Sequence, residues 1–421
     1  MGSGSDRLTS IEICAGAGGQ AAGLHAAGFQ HLGMVEIDTH AAASLSENVK
    51  TRKGWRPARK ADREGKSKAN FGRVFTADVN DFKPFQEFAD LEPGELDLLA
   101  GGVPCPPFSL AGKQLGQDDE RDLFPRMLDL VEELKPRAVL IENVRGLLEP
   151  EEKFAPYRAH ILDRLDAADY AYCGWRVLEA ADYGVPQLRP RALLVMIRKD
   201  CYRGFDWPQE QPVQTTVFQA LDASMRERYG MDRDAPWLVT PEGDFRDEAK
   251  IRYAAWREQA ERAASVAPTL VGGSKKHGGA DLGPTRAKAA WAAQGVNGLG
   301  VANDKHEPNV GRDLLRDTGP MITVEQAAII QGFPKDWIFT GGKTARYRQI
   351  GNAFPPPVAE AVGRSIAEAL ALTGALKEPP VLPHREKMAV PEQGKVVVKQ
   401  VRRPRTEAAG VLQAAALVSA Q

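Results

Sequence analysis

Ile11-Glu12-Ile13-Cys14-Ala15-Gly16-Ala17-Gly18-Gly19 is the stretch from which the rest of the chain can be read. An apolar run enters a glycine turn, and Gln20–Ala27 then continues with helical character. Glycines allow a tight turn and let the backbone come close to a ligand, so a strand, glycine turn and helix in this order point to a nucleotide-type pocket at a sheet edge. Further strand-like runs follow at Leu32–Ile37, Val74–Ala77, Leu96–Ala100, Arg137–Val144, Trp175–Glu179 and Ala192–Ile197, the first strand itself spanning Ser10–Ala15. Between them, Leu123–Leu134 places Leu123, Met127, Leu130, Val131 and Leu134 at helical spacing, and Tyr157–Leu165 does likewise. Strands alternating with helices predict βαβ units and a doubly wound parallel α/β sheet.

The 421 residues allow two to three domains at roughly 150 residues each. With 43% hydrophobic and 26% charged residues, the chain is neither collagen-like nor disordered throughout. It has no apolar stretch of the roughly 20 residues a membrane helix needs. The start, Met1-Gly2-Ser3-Gly4-Ser5, reads as a flexible leader and not as a signal peptide. Cys14, Cys105, Cys173 and Cys201 lie far apart without a CxxC pair, so neither a zinc or other metal site nor a disulfide scaffold is expected, and a reducing, cytoplasmic setting fits. A formal net charge of −1 means that any polyanion must be held by local basic patches. One such run is Lys50–Arg73, with ten Lys/Arg against Asp62 and Glu64; it reads either as a solvated loop or as a phosphate-tracking patch.

Residues 200–320 are richer in Gly, Pro, Trp and charge, show little sustained period, and suggest a separate irregular domain. The helical pattern returns from Thr323, and Pro355-Pro356-Pro357 opens an amphipathic helix over Val358–Leu372. The expected organisation is 1–199 with 323–372 returning to it, a second domain over 200–322, and a basic, Pro-rich tail over 373–421.

Glu36 ends the second strand eighteen residues past Gly18, where an acid can accept from ribose hydroxyls. Asp78 closes the third strand and could accept from an adenine amino group. These acids could also be simple helix caps; with the glycine turn they describe an adenosine pocket without separating NAD from S-adenosylmethionine. Past the fourth strand, Gly101-Gly102-Val103-Pro104-Cys105-Pro106-Pro107-Phe108-Ser109 presents a proline-fixed thiol at the same edge. Glu142-Asn143-Val144 ends the fifth strand, and Gln187-Leu188-Arg189-Pro190-Arg191 leads into the last.

In these motifs the chain resembles the DNA (cytosine-5)-methyltransferases. The matches are Ala15–Gly19, Glu36, Asp78, Gly102-Val103-Pro104-Cys105, Glu142-Asn143-Val144, Gln187-x-Arg189-x-Arg191 and Gln349-Ile350-Gly351-Asn352-Ala353-Phe354-Pro355-Pro356, in family order between about residues 8 and 372. The resemblance implies a Rossmann-like methyltransferase sheet with a smaller irregular target-recognition domain. It implies S-adenosylmethionine as methyl donor, held by Cys14, Ala15, Gly16, Gly18, Gly19, Glu36, Ile37, Asp78, Val79, Pro104, Leu123, Asn352 and Ala353. It implies double-stranded DNA as partner, with the target cytosine flipped out of the helix. Cytosine C5 is a poor nucleophile; addition of the Cys105 thiolate to C6 makes C5 nucleophilic. Glu142 would hold ring N3 and the exocyclic amine, and Arg189 and Arg191 would neutralise charge near O2 and favour the thiolate. After methyl transfer the C5 proton leaves and Cys105 is eliminated.

Three departures stand out. Pro106 replaces the family's usual Gln, Cys14 replaces an aromatic, and the family's arginine near the start of the late helical segment is missing around Thr318–Thr323. The expected DNA contacts are Ser109, Gln114, Lys275, Lys276 and Arg286, with His277, Thr285 and Lys288 nearby. A prokaryotic or phage modification enzyme is the simplest setting, monomeric, with a separately acting restriction endonuclease as a conceivable companion. The competing readings are an RNA (tRNA) cytosine methyltransferase, a catalytically silent DNA-binding homologue, and a nicotinamide dehydrogenase that would leave Cys105 unexplained. An amino-methyltransferase reading of Cys105-Pro106-Pro107-Phe108 requires an acceptor that a thiol supplies poorly.

Overall fold

The computed structural model describes residues 7–55, 71–104, 122–272, 280–304 and 307–389. Cys105, Ser109, Gln114, Lys275, Lys276, most of the basic 50–73 run and the tail beyond residue 389 lie outside them. The strands are β1 (Thr9–Ile13), β2 (Gln30–Glu36), β3 (Arg73–Thr76), β4 (Leu98–Gly102), β5 (Ala138–Val144), β6 (Tyr170–Glu179) and β7 (Pro190–Arg198). They form one sheet in the order β3-β2-β1-β4-β5-β7-β6. β3, β2, β1, β4 and β5 pair in parallel. β7 runs antiparallel to both β5 and β6. A parallel crossover needs a dozen or more residues and usually a helix, whereas only residues 180–189 join β6 to β7, so the chain reverses there.

Both faces of the sheet are covered, which is why its central strands are almost continuously apolar. On one face Leu24, Leu98, Ala100, Leu140, Leu193 and Val195 pack with Val358, Val362 and Ile366. The first helix, α1 (Gly19–Ala26), lies against the late amphipathic helix, α10 (Pro356–Ala371), and Gly23 allows the close approach. The other helices needed below are α2 (Thr39–Thr51), α3 (Phe124–Leu134), α4 (Ala155–Ala167), α5 (Val217–Arg228), α6 (Arg246–Ala263), α7 (Thr285–Ala293), α8 (Val324–Ile330) and α9 (Lys343–Asn352).

The stretch between 200 and 320 is more helical than its composition suggests. α5 starts at a capping box between Thr216 and Gln219. α6 runs 18 residues and buries Ala249, Tyr253, Trp256 and Ala260. That i, i+4, i+7, i+11 spacing is a helical stripe, hidden in the sequence by charged residues on the other faces and by Gly/Pro-rich flanks. Its buried side chains join the same hydrophobic cluster as Ala15, Met34 and Leu45 of the sheet side and Tyr347 and Ile350 of α9. Met1–Pro380 form one compact unit and Val381–Gln421 another, in which Pro383–Ala389 is helical.

Candidate active site

A cavity of about 540 Å³ runs along the carboxyl ends of the strands. Ile37, Asp78, Val79 and Asn80 line its β2–β3 end, Glu12 and the glycine turn its middle, and Gly102, Pro104 and Glu142 its β4–β5 end. α9 closes the side with Ala345, Arg348, Gln349 and Asn352, four positions on one helical face. Of the thirteen residues expected around a cofactor, the cavity is lined by Cys14, Ala15, Gly16, Gly19, Glu36, Ile37, Asp78, Val79, Pro104, Leu123, Asn352 and Ala353. Gly18 is the exception. It takes φ 89°, and a side chain there would run into Leu45 and Trp337, away from the lining residues.

At the β2 end, Glu36 Oε2 accepts from Gly16 N–H at 2.7 Å and Oε1 from Asp38 N–H at 2.7 Å. The carboxylate therefore fixes two turns to each other and keeps lone pairs for a further donor. Burial raises its pKa, an effect the amides of Asp38 and Gly16 oppose. Asp38 is a helix cap, accepting from His40 and Ala41 N–H at the start of α2. Ile37 stays 64% exposed on the cavity wall, an apolar surface suited to a flat ring.

Cys14 and Glu12 lie in the middle of the cavity. Cys14 adopts φ 52°, and burial followed by Glu36, Asp78 and Glu12 pushes its thiol up to about 12, so it rests as a neutral thiol. Glu12 is 1% exposed, and burial with Glu36 nearby holds its carboxyl well above the usual range. Glu12 Oε2 and Gln20 Nε2 are buried without hydrogen-bond partners.

At the β4–β5 end, Arg191 Nε meets Glu142 Oε1 at 2.7 Å, with both side chains largely buried. The register explains the pair: Glu142 and Arg191 are two rungs apart on the antiparallel β5–β7 ladder and share a face. Gly102 leaves room beside the carboxylate, since a Cβ there would lie 3.0 Å from Glu142 Oε2. Asn143 Nδ2 donates to Val103 O at 3.0 Å. The middle residue of Glu-Asn-Val thus ties down the turn that leads to Pro104 and Cys105.

Arg189 does not join this pair. It is 2% exposed, and its guanidinium donates to Leu270 O and Gly351 O, both at 2.7 Å. Gln187 accepts from Leu270 N–H at 2.8 Å, so the two side chains hold the peptide groups on either side of Leu270 Cα. The expected charge-neutralising role near the reacting ring is corrected to a bracing one: Arg189 fastens residue 270 and the end of α9 to the entry of β7. Burial and Arg191 lower its pKa to about 9. Among the expected DNA contacts, Arg286 is described and lies exposed on α7, whereas Lys288 is paired with Asp281 at 2.7 Å.

Sequence reasoning did not single out Glu12, Gln20, His40, Arg348 or Phe354 as lining residues. The helical spacing 345, 348, 349, 352 beside Asn352 could have found Arg348. Nothing in the sequence distinguishes a buried unpartnered Glu12 from an ordinary strand-end acid.

An open, mostly parallel α/β sheet with a ligand-sized cavity across its strand ends defines a broad class of nucleotide-type binders. Within it, the profile of the C-5 cytosine-specific DNA methylases matches residues 8–65 and 66–368. The chain is 46% identical over 368 residues to the Type II methyltransferase M.NaeI of Lentzea aerocolonigenes, spanning 87% of this chain and 76% of that protein. It is 42% identical over 387 residues to the Type II methyltransferase M.NgoMIV of Neisseria gonorrhoeae, spanning 86% and 98%. In fold it is similar to Entamoeba histolytica methyltransferase EhMeth, with TM-score 0.54, 14% identity and coverage of 87% and 100%. The chain belongs to the C-5 cytosine-specific DNA methylase family.

Proposed function

We propose that the protein transfers a methyl group from S-adenosylmethionine to C5 of a cytosine flipped out of duplex DNA, as the modification enzyme of a prokaryotic or phage system. The observation that carries this reading is the Glu142–Arg191 ion pair at 2.7 Å on the cavity that Pro104, one residue before Cys105, also lines. The cavity suits the donor: it offers ring-sized apolar surface at Ile37, spare acceptors at Glu36 and Asp78, and buried unpartnered polar atoms between them and Glu142. When bound, the donor supplies an electrophilic methyl group on a sulfonium.

The chain's own residues do the rest. Cys105 adds to C6 of the ring, and Glu142 holds N3 and the exocyclic amine, which selects cytosine. Arg191 orients Glu142 through a charge-assisted hydrogen bond and places positive charge beside the ring. Loss of the C5 proton and elimination of Cys105 then restore the aromatic ring. Asn143 holds the nucleophile's turn, Arg189 braces the end of α9 through Gly351 O, and Gln187 holds the Leu270 amide beside it. Residues 200–322 form the target-recognition part, and the protein works as a cytoplasmic monomer. No helix among the described residues is long and apolar enough to cross a membrane.

The test is tritium transfer from labelled S-adenosylmethionine to unmethylated duplex DNA and, in parallel, to tRNA, followed by mass spectrometry of the nucleosides. This reading predicts 5-methylcytosine in the DNA arm. Product in the tRNA arm alone, or methylation of an exocyclic amine, would overturn it.

A further inference from the structure

We infer that Arg348 binds the phosphate backbone of the duplex, its guanidinium taking a phosphodiester of the strand that crosses the mouth of the cavity. The inference rests on the DNA reading above and deepens it.

Charge singles the residue out. Glu12, Glu36, Asp38, Asp78 and Glu142 line the cavity, and among its described lining residues Arg348 is the one arginine or lysine. Those acids do not pair with it. Glu36 accepts from the amides of Gly16 and Asp38, Asp78 accepts from Asn80 N–H at 2.8 Å, and Glu142 is held by Arg191. The other cations of α9 are satisfied, Arg346 by Asp304 at 3.0 Å and Lys343 by Val301 O and Asn303 Oδ1. Among the described residues Arg348 has neither an ion-pair partner nor an acceptor, and its Nε is buried. Buried donors are almost always paired, so a guanidinium left in this state marks a place where an anion completes the bonding. Its planar fork matches two oxygens of a phosphate at once.

Its place in the fold says which anion. Arg348 and Asn352 are one turn apart on α9, and both abut Gly272, where an added Cβ would run into Asn352 and lie 3.2 Å from Arg348 O. The helix therefore has the cavity on one side and, on the other, the segment that Arg189 and Gln187 hold at Leu270. Arg348 stands at the seam between the cavity wall and the part proposed to recognise DNA. A base flipped into the cavity draws its own strand down to this mouth, which brings phosphates to the seam. The duplex carries a negative charge about every 1.7 Å along its axis, whereas the donor carries a single carboxylate. A chain of net charge −1 must hold such a polyanion through local cations. The contact positions the duplex and does not read its sequence.

The experiment measures tritium transfer to unmethylated duplex DNA by the full-length protein between about 50 and 200 mM salt, with calorimetric binding of S-adenosylhomocysteine alongside. The variants are Arg348→Met, Arg348→Lys and, as a control on the same helix, Arg346→Met. Arg348→Met should raise KM for DNA about tenfold with kcat within about threefold. The slope of log(kcat/KM) against log salt should become shallower by about one, the loss of one phosphate contact. S-adenosylhomocysteine affinity should stay within about twofold. Arg348→Lys, which keeps the charge and loses the fork, should retain the wild-type slope, and Arg346→Met should retain both slope and KM. A wild-type slope in Arg348→Met would overturn the inference, as would an equal change in Arg346→Met. Loss of S-adenosylhomocysteine affinity with the slope unchanged would assign the guanidinium to the donor instead and overturn it too. Failure of the wild-type protein to methylate duplex DNA would overturn the DNA reading with it.

Discussion

The Glu142 carboxylate and the Arg191 guanidinium meet on one rim of the cavity, and their 2.7 Å contact makes a specific demand of each. Glu142→Gln keeps the shape but loses the charge-assisted bond, and kcat for methyl transfer should fall roughly 10²- to 10⁴-fold. S-adenosylhomocysteine affinity should barely change, since the pair lies at the cytosine end; a parallel loss of both would contradict the assignment. Arg189 behaves differently, because its guanidinium serves two main-chain carbonyls. Arg189→Met should cost about 2–5 kcal/mol of stability in denaturant unfolding, through the two carbonyls left buried without donors. The two arginines look interchangeable in Arg189-Pro190-Arg191, and the motif alone assigned both to chemistry. Only the packing of Leu270 and Gly351 against one of them separates their roles. His31 carries a pH dependence: burial holds it down to about 4, with Ser10 Oγ and Ala21 O each 2.9 Å from its ring nitrogens. As pH falls, the unfolded chain takes up this proton first, near 6.5. Stability is therefore complete above 6.5 and declines toward pH 4, by up to about 3 kcal/mol. His31→Gln should flatten that slope in unfolding midpoints measured across this range; equal slopes would contradict it.

At the scale of elements, each of the seven strands lies where alternation of apolar runs with helical segments places it, within a few residues. Such runs are legible because both faces of the sheet are buried. The direction of β7 was not legible, since it depends on the length of the 180–189 connection and not on the strand's own residues. The helices of 200–320 were missed for another reason: α6 is charged on most of its circumference, and its apolar stripe is narrow. Close packing of α1 on α10 yields a test in which propensity and packing oppose each other. Gly23→Ala gains about 1 kcal/mol of helix propensity, but the new methyl meets Pro356 O and lies 2.6 Å from Ala359 Cβ. Packing should win, with a net loss of about 1–3 kcal/mol in denaturant unfolding. Thr323 caps α8 in a reciprocal box with Gln326, whose Oε1 also accepts from buried Arg228 at 2.8 Å. Thr323→Ala should cost about 1 kcal/mol by the same measurement.

For the molecule as a whole, the sheet order turns a linear set of motifs into one continuous cavity: Glu36, Ile37 and Asp78 at its β2–β3 end, Glu12 and the glycine turn in its middle, and Glu142, paired with Arg191, at its β4–β5 end. The helices of 217–293 and the α8–α9 segment share a buried cluster with the sheet side. These helices are thus built onto the sheet that carries the cavity. The central claim is that a sulfur at position 105 bonds to the target ring. Its most direct test is incubation with duplex DNA containing 5-fluorocytosine in the presence of S-adenosylmethionine, because fluorine at C5 cannot leave as a proton does. Wild-type protein should give a denaturation-resistant protein–DNA adduct whose peptide mass maps to Cys105, and Cys105→Ser should give none. An adduct mapped to another residue, or methyl transfer by Cys105→Ser at the wild-type rate, would contradict the account.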